Sequence, residues 1–370
     1  MADRRRVIVI GPQFGGDDGV SELGRQAIHA LAVDPDVRVL VRSLHDDARP
    51  ARLHDAPCEF APSLGSRGRL IGALLRDAAR GSATDVVVSV HVHFLPTTLP
   101  LLARGATLAS ILIGIESWRP LTALQRAALS RASHVIAISR HTRDRFLAAN
   151  RSAARIPIVV CHPAAPGTGN TAASPLAPGF ALMVGRMSRE ERYKGHDEVL
   201  DAWPRVLASH PDARLAMVGD GDDRLRLQQK AHALGLDGSV SFLGHLSRAA
   251  LNGAYADAAF FVMPSRDEGF GFVYLEAMRA GKACIACEGA AAEILEHRRS
   301  GELVRFGSVD DITAACLRLF SNAAIRAQLG GAAAESVRER FLMEHFVQRF
   351  RRALELSPAV ATPSMPQACA

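Results

Sequence analysis

Two series of short apolar runs, each alternating with amphipathic stretches and divided by a proline-rich break, constrain this chain more than any single motif. In the first series the strand-like runs fall at 7–10, 37–41, 86–92, 108–113, 135–138 and 156–160. Segments of helical period lie between several of them, at 20–31, 121–129 and 142–149. Apolar runs of this length are too short for buried helices, and their alternation with amphipathic segments predicts right-handed βαβ units on a parallel sheet. Residues 163–178 then bring four prolines and no apolar period, which reads as a linker. A second series follows, with strands at 180–184, 214–218, 240–243, 258–263 and 283–286 and helices at 198–209, 223–234, 248–254 and 312–319. The expected fold class is therefore α/β, two doubly wound Rossmann-like domains with a ligand cleft between them. Residues 1–165 form the first domain, 166–178 the linker and 179–335 the second domain. The periodic stretch 332–356 reads as one long helix whose 336–356 part can cross back to the first domain, and 357–370 as a disordered tail.

A chain of 370 residues exceeds what one core usually supports, which agrees with two domains. Its 48% hydrophobic and 22% charged residues are those of a globular protein. The cysteines Cys58, Cys161, Cys284, Cys287, Cys316 and Cys369 are scattered rather than arranged as a disulfide framework, so a reducing cytoplasm is expected. No apolar run approaches the roughly 20 residues that span a bilayer, and the basic start precedes an apolar run too short for a signal peptide. Charge is uneven: residues 1–165 hold 21 Arg, no Lys and 14 acidic residues, a net +7, against −1 for the remainder. A basic face attracts anionic membranes or phosphorylated substrates, although a solvated surface has the same composition. Nucleic acid is not expected as a partner.

The richest motif is Pro264-Ser-Arg-Asp-Glu268-Gly-Phe270-Gly271-Phe272-Val273-Tyr-Leu-Glu276. A buried strand precedes it and a helix over 272–279 follows, so the glycines fall at a strand's carboxyl end, where open α/β sheets bind ligands. Gly269 and Gly271 let the backbone turn tightly, and the helix start offers N–H groups and a positive dipole end to a phosphate. Glu268 and Glu276 lie about two helical turns apart and can reach separate hydroxyl-bearing parts of one long ligand, a sugar and a ribose. Arg186 follows the strand at 180–184 and Lys194 opens the next helix; together they can neutralise a diphosphate.

Other patterns carry less. Gly15-Gly16 ends the loop Gly11-Pro-Gln-Phe-Gly-Gly16 between the first strand and a helix, yet that loop fits neither common phosphate-binding fingerprint. Asp220-Gly-Asp222 has metal-ligand chemistry, but a turn opening the next helix accounts for it, and no metal is expected. Asp34-Pro-Asp36 reads as a turn. Cys284-Ile-Ala-Cys287 has its cysteines on opposite faces of an apolar strand, which favours structure over zinc or redox chemistry. His91 and His93 share a face at the end of the 86–92 run and can line the cleft. Residues 66–80 form a basic amphipathic helix, with Leu70, Leu74 and Leu75 on one side, able to lie on an anionic bilayer or on its own sheet.

Taken together, Gly185-Arg186, Lys194-Gly195, Gly219-Asp-Gly221, Phe242-Leu-Gly244 and the Glu268 to Glu276 segment resemble glycosyltransferase family 4, retaining enzymes of the GT-B fold. The likeness is strong from Phe180 to Phe346 and more general before Ala165. It implies that Arg186 and Lys194 bind the donor diphosphate, that Gly219 belongs to the donor-binding set, and that Glu276 binds the ribose and Glu268 with the backbone of Phe270, Gly271, Phe272 and Val273 the transferred sugar. It also implies that the base meets backbone near Leu246 and that Gly15 and Gly16 cover the phosphates and acceptor end. The implied donor is a UDP- or GDP-sugar, without cofactor, and the implied acceptor is a glycan or lipid-linked sugar of bacterial surface polysaccharide or glycolipid assembly. Location would be cytoplasmic, with peripheral membrane association as an alternative. Relatives commonly carry a histidine near the sugar where this chain has Ile113, so the resemblance implies either that His91 or His93 fills that space, with His93 as the catalytic candidate, or that the acceptor-side chemistry is altered. A nucleotide-sugar-binding partner without turnover, or an epimerase, stays open beside the transferase.

Overall fold

The computed structural model describes residues 4–167 and 169–356, so the expected tail at 357–370 lies outside the described residues. Two compact units divide the chain, one comprising residues up to Ala164 together with those from Met343 onward, the other Ala165–Leu342.

The first unit is built on a seven-stranded, all-parallel sheet of order β3-β2-β1-β4-β5-β6-β7. Its strands are β1 (Arg5–Gly11), β2 (Val37–Ser43), β3 (Cys58–Pro62), β4 (Val86–Ser89), β5 (Thr107–Leu112), β6 (Ala132–Ala137) and β7 (Ile158–Val160). The crossovers are α1 (Gly19–Ala32), α2 (Arg67–Ala79), α3 (Leu95–Leu102), α4 (Ala123–Leu129) and α5 (Arg140–Ala149). Val7, Ile8, Val9 and Ile10 are all buried, as a strand covered on both faces requires. On one face Ile8, Ile10 and Val87 pack with Leu70 and Leu74 of α2.

In the second unit six parallel strands run in the order β10-β9-β8-β11-β12-β13. They are β8 (Ala181–Val184), β9 (Leu215–Val218), β10 (Val240–Gly244), β11 (Phe260–Met263), β12 (Cys284–Cys287) and β13 (Gly301–Val304). Around them lie α6 (His196–Ser209), α7 (Arg224–Ala233), α8 (Arg248–Asp257), α9 (Phe272–Arg279), α10 (Val309–Ser321) and α11 (Ala323–Arg340). Residues 170–179 run against α8: Ala172 N–H donates to Ala249 O and Asn252 Nδ2 to Asn170 O, each at 2.9 Å.

The single long helix expected over 332–356 is instead two. It breaks at Phe341 and Leu342, and α12 (Met343–Ala353) belongs to the first unit. There Phe346 and Phe350 are buried, and Arg351 pairs with Asp34 at 2.5 Å beyond the end of α1. Helical period alone missed the break because neither glycine nor proline marks it; the Phe341 carbonyl accepts from Ala165 N–H at 2.7 Å instead.

Both sheets are doubly wound. In each the strand order reverses once, between β1 and β4 in the first and between β8 and β11 in the second. The carboxyl ends flanking such a reversal diverge and leave the ligand crevice of open α/β sheets.

Candidate functional site

At the reversal of the second sheet the chain leaves β8 through Gly185-Arg186 and leaves β11 through Pro264 to Gly271. Glycines let these exits crowd together. Gly219, beyond β9, has φ +129°, and a Cβ there would collide with the Gly185 carbonyl. Gly195, at the start of α6, has φ +87°, and a Cβ would lie 2.7 Å from the Pro264 ring. Gly271 has φ +97°, with the Tyr274 ring where its Cβ would be. No L side chain fits these positions without strain.

Helix starts differ along the chain. Side chains of Asp18, Ser66, Thr122, Ser139, Ser247, Ser308 and Asn322 cap α1, α2, α4, α5, α8, α10 and α11. The helices leaving β8, β9 and β11, namely α6, α7 and α9, have no side-chain cap, and neither does α3, which follows β4 and carries Pro96 in its first turn. At α6 and α9 the dipole ends are thus left to solvent or to an anion, whereas at α7 the N–H groups of Asp223 and Arg224 donate to the carbonyls of Met187 and Gly221.

Charged side chains converge on this edge. Lys194 Nζ donates to Glu268 Oε1 at 3.0 Å, and Ser265 Oγ donates to the same oxygen at 3.2 Å. Arg186, whose side chain is 73% exposed, is ion-paired with Glu191. Glu276, buried on α9, accepts from the fully buried Tyr255 hydroxyl at 3.0 Å and is ion-paired with Arg248. Burial first, and then the adjacent Glu276, push the Tyr255 phenol well above its ordinary range, so it stays a donor. Phe270 is buried, and Leu246, Phe272 and Val273 are half-buried. Glu191, Arg248 and Tyr255 were not singled out in the sequence. Glu191 sits in a run of mixed charge that resembles any solvated loop, and Arg248 and Tyr255 meet Glu276 only through the packing of α8 on α9.

Below the edge lies a supporting network. Arg226 bridges Asp197 and Asp223, Arg192 binds Asp223 at 3.0 Å, and Lys230 binds Asp197 and Asp201. Hydrogen bonding to Arg226 holds Asp197 down at about 2. Asp220 pairs with Arg224, and Asp222 accepts from Arg189 N–H. Among the described residues no group of three or more His, Cys, Asp or Glu is placed to hold a metal ion. Cys284 and Cys287 are buried in β12, and desolvation raises both thiols.

The first sheet's reversal carries Gly15, Gly16, His91 and His93. Phe14 and Gly15 N–H groups donate to Asp46 at 2.7 and 3.0 Å, and those of Val20 and Ser21 to Asp18. The 86–92 run does not stay extended to its end: β4 stops at Ser89, and His91 Nδ1 accepts from His93 N–H at 3.2 Å, opening a short turn. Their rings lie 4.7 Å apart, with His93 exposed and His91 half-buried. Desolvation lowers the His91 pKa, while Glu116 opposes that shift. Ile113, buried just beyond β5, stands where the resemblance expected a histidine. On α2, Leu70 and Leu74 are buried, but Leu75 is 52% exposed, because it follows Ile71 by one turn on the outer face.

Residues 179–322 match the family model described as "Glycosyl transferases group 1". The chain is 31% identical over 172 residues to a GDP-mannose-dependent monoacylated alpha-(1-6)-phosphatidylinositol monomannoside mannosyltransferase of Corynebacterium glutamicum, a match covering 45% of each protein. The chain thus spans less than half the length of that relative. It is 30% identical over 282 residues to a GDP-mannose-dependent alpha-(1-6)-phosphatidylinositol monomannoside mannosyltransferase of Mycolicibacterium smegmatis, covering 71% of this chain and 67% of that one. Anabaena HepE, solved with UDP and glucose, has a similar fold, with TM-score 0.74, 22% identity, and 95% and 99% of the two chains covered. On the second unit's family match and the M. smegmatis relative, with two doubly wound parallel sheets beneath them, the chain belongs to glycosyltransferase family 4 and has the GT-B fold.

Proposed function

We propose that this protein transfers a sugar from a UDP- or GDP-sugar to a glycan or lipid-linked acceptor in bacterial surface polysaccharide or glycolipid assembly, with retention at the anomeric carbon. The observation that carries the reading is the convergence of Arg186 and Lys194 with the uncapped starts of α6 and α9, two acidic side chains lying beside them. Such an edge stabilises a diphosphate leaving group as its charge grows. Glu276 would accept from the ribose hydroxyls, with Tyr255 and Arg248 fixing its orientation. Glu268 and the backbone of residues 270–273 would hold the sugar, Gly219 would admit the diphosphate, and the backbone near Leu246 would meet the base.

In the transfer, the bond from the anomeric carbon to the diphosphate oxygen breaks and the acceptor oxygen bonds to that carbon from the same face. The acceptor's proton passes to the departing phosphate oxygen, so no separate general base is needed. GDP-mannose and phosphatidylinositol mannosides in the names of the relatives, and UDP in the HepE structure, supply the donor and acceptor classes. The roles that the resemblance gives Gly15, Gly16 and His93 belong to the same proposal. So does peripheral membrane binding, supported by Leu64, Ile71 and Leu75, about half exposed, amid exposed Arg67, Arg69, Arg76 and Arg80. Binding to anionic vesicles that weakens with salt would support it, and no binding at low salt would remove it.

The test is to incubate the protein with candidate nucleotide-sugars and acceptors and read the anomeric configuration of the product by NMR. Lys194→Ala is expected to slow turnover roughly 10²-fold or more by removing a leaving-group stabiliser. Ile113 favours a second reading, a sugar-nucleotide-binding subunit without turnover. Slow donor hydrolysis in the absence of acceptor would exclude it.

A further inference from the structure

Arg186 and Lys194 share one acid, Glu191. Arg186 Nη2 donates to Glu191 Oε1, and Lys194 Nζ stands 4.0 Å from Glu191 Oε2. Oε2 is buried from solvent and has no hydrogen-bond partner among the described residues. A carboxylate oxygen left that way is costly and gains from any rearrangement that hydrates or pairs it.

The pair is also lopsided. Glu191's side chain is 15% exposed and Arg186's is 73% exposed, so the acid is the fixed partner and the guanidinium the free-swinging one. Its surroundings pin the acid in place. Glu191 N–H donates to Ser188 O at 2.9 Å, Arg192 is bound to Asp223, and the Tyr193 carbonyl accepts from Arg266 N–H at 2.9 Å. The short helix that carries it, Arg189–Lys194, kinks at Glu191 itself, with φ −112° and ψ 27°.

We propose that Glu191 is a placeholder for the donor's diphosphate. In the empty site it offsets the repulsion between Arg186 and Lys194, and on binding it yields Arg186 to a diphosphate oxygen. The exchange costs little packing because the guanidinium is already mostly in solvent, while the diphosphate offers it charge-assisted hydrogen bonds in return. The same carboxylate, still beside Lys194, then repels the nucleoside diphosphate left after transfer and speeds its departure. Glu191 is thus a positioning and release residue: it acts on the donor through Arg186 and Lys194. This inference rests on the donor-site reading above.

Calorimetric titration of wild type, Glu191→Gln and Glu191→Asp with UDP and GDP, with inorganic pyrophosphate and with the free nucleosides tests it. Glu191→Gln should bind whichever diphosphate the wild type prefers, and pyrophosphate, about threefold to tenfold more tightly, a change of the size expected for removing one partly exposed charge. Nucleoside binding should not change, Glu191→Asp should fall between, and the gain should shrink in an Arg186→Met background to the part that comes from lifting the repulsion beside Lys194. If the wild type binds no diphosphate, the donor-site reading fails and takes this inference with it. If the wild type binds but Glu191→Gln, with unchanged melting temperature, binds equally or more weakly, only the placeholder is overturned. Should Glu191→Gln melt early, Glu191→Asp decides by the same criterion.

Discussion

The two sheets share a winding and differ in what they do with the crevice at its reversal. Beyond β1, carboxylates from within the unit occupy the N–H groups of Phe14, Gly15, Val20 and Ser21, and the buried Arg25 holds the carbonyls of Phe14 and Gly16. Beyond β8 and β11, the helix starts are uncapped and two cations stand at the edge with acids that can release them. Yet residues 1–165 carry a net +7 and the rest of the chain −1. Positive charge counted along the sequence therefore does not locate an anion site. Under the proposed reading, the uncapped starts of α6 and α9 and the cations beside them mark it instead.

The sharpest way to break this comparison is to make the same substitution in both loops. Gly219→Ala forces a Cβ against the Gly185 carbonyl at a φ of +129°, and should destabilise the second unit by roughly 3 kcal/mol or more. Gly15→Ala meets a side-chain carboxylate, that of Asp46 at 2.9 Å, and otherwise only ordinary contact with Pro50, and should cost about 1 kcal/mol. Chemical denaturation of the two variants reads both, and equal losses would mean the exits of the second sheet are not specially crowded.

Next comes pH. His196, 3% exposed at the start of α6, has its pKa lowered to about 4, first by desolvation and then by Lys194. The unfolded chain takes up that proton near pH 6.5, so between about 6.5 and 4 the unfolded state binds more protons than the folded one. Stability from this residue is complete above pH 6.5 and lost as pH falls, by on the order of 3 kcal/mol by pH 4. Melting curves across that window should show the loss, and His196→Asn should flatten it.

The smallest expected effect is at Tyr255. Removing its hydroxyl leaves Glu276 with Arg248 but without a buried donor, a loss of about 1 kcal/mol. Tyr255→Phe should weaken nucleotide binding about fivefold while leaving pyrophosphate binding unchanged, since Glu276 is assigned to the ribose.

Much of this fold was legible because its strands are covered on both faces and so appear as unbroken apolar runs. What escaped had a physical reason in each case. Strand β3, Cys-Glu-Phe-Ala-Pro, is a half-buried edge strand ending in proline; α3 holds Pro96 and Pro100; and β13 has only Leu303 and Val304 as large apolar residues. At the candidate site, the positions of Arg186, Lys194, Glu268 and Glu276 after strands and on helices were legible, while their proposed roles await the tests above. Glu191, Arg248 and Tyr255 were not, because their meaning lies in partners brought close only by folding.

Calorimetric titration of wild type and Glu276→Ala with UDP, GDP and ADP tests the donor site most directly. Selective binding of one nucleotide, weakened tenfold or more by the substitution, is the expected result, since a buried carboxylate that accepts from hydroxyls contributes about 1.5–3 kcal/mol. Failure of all three to bind, or equal binding by Glu276→Ala, would contradict the assignment of this edge to a nucleotide-sugar.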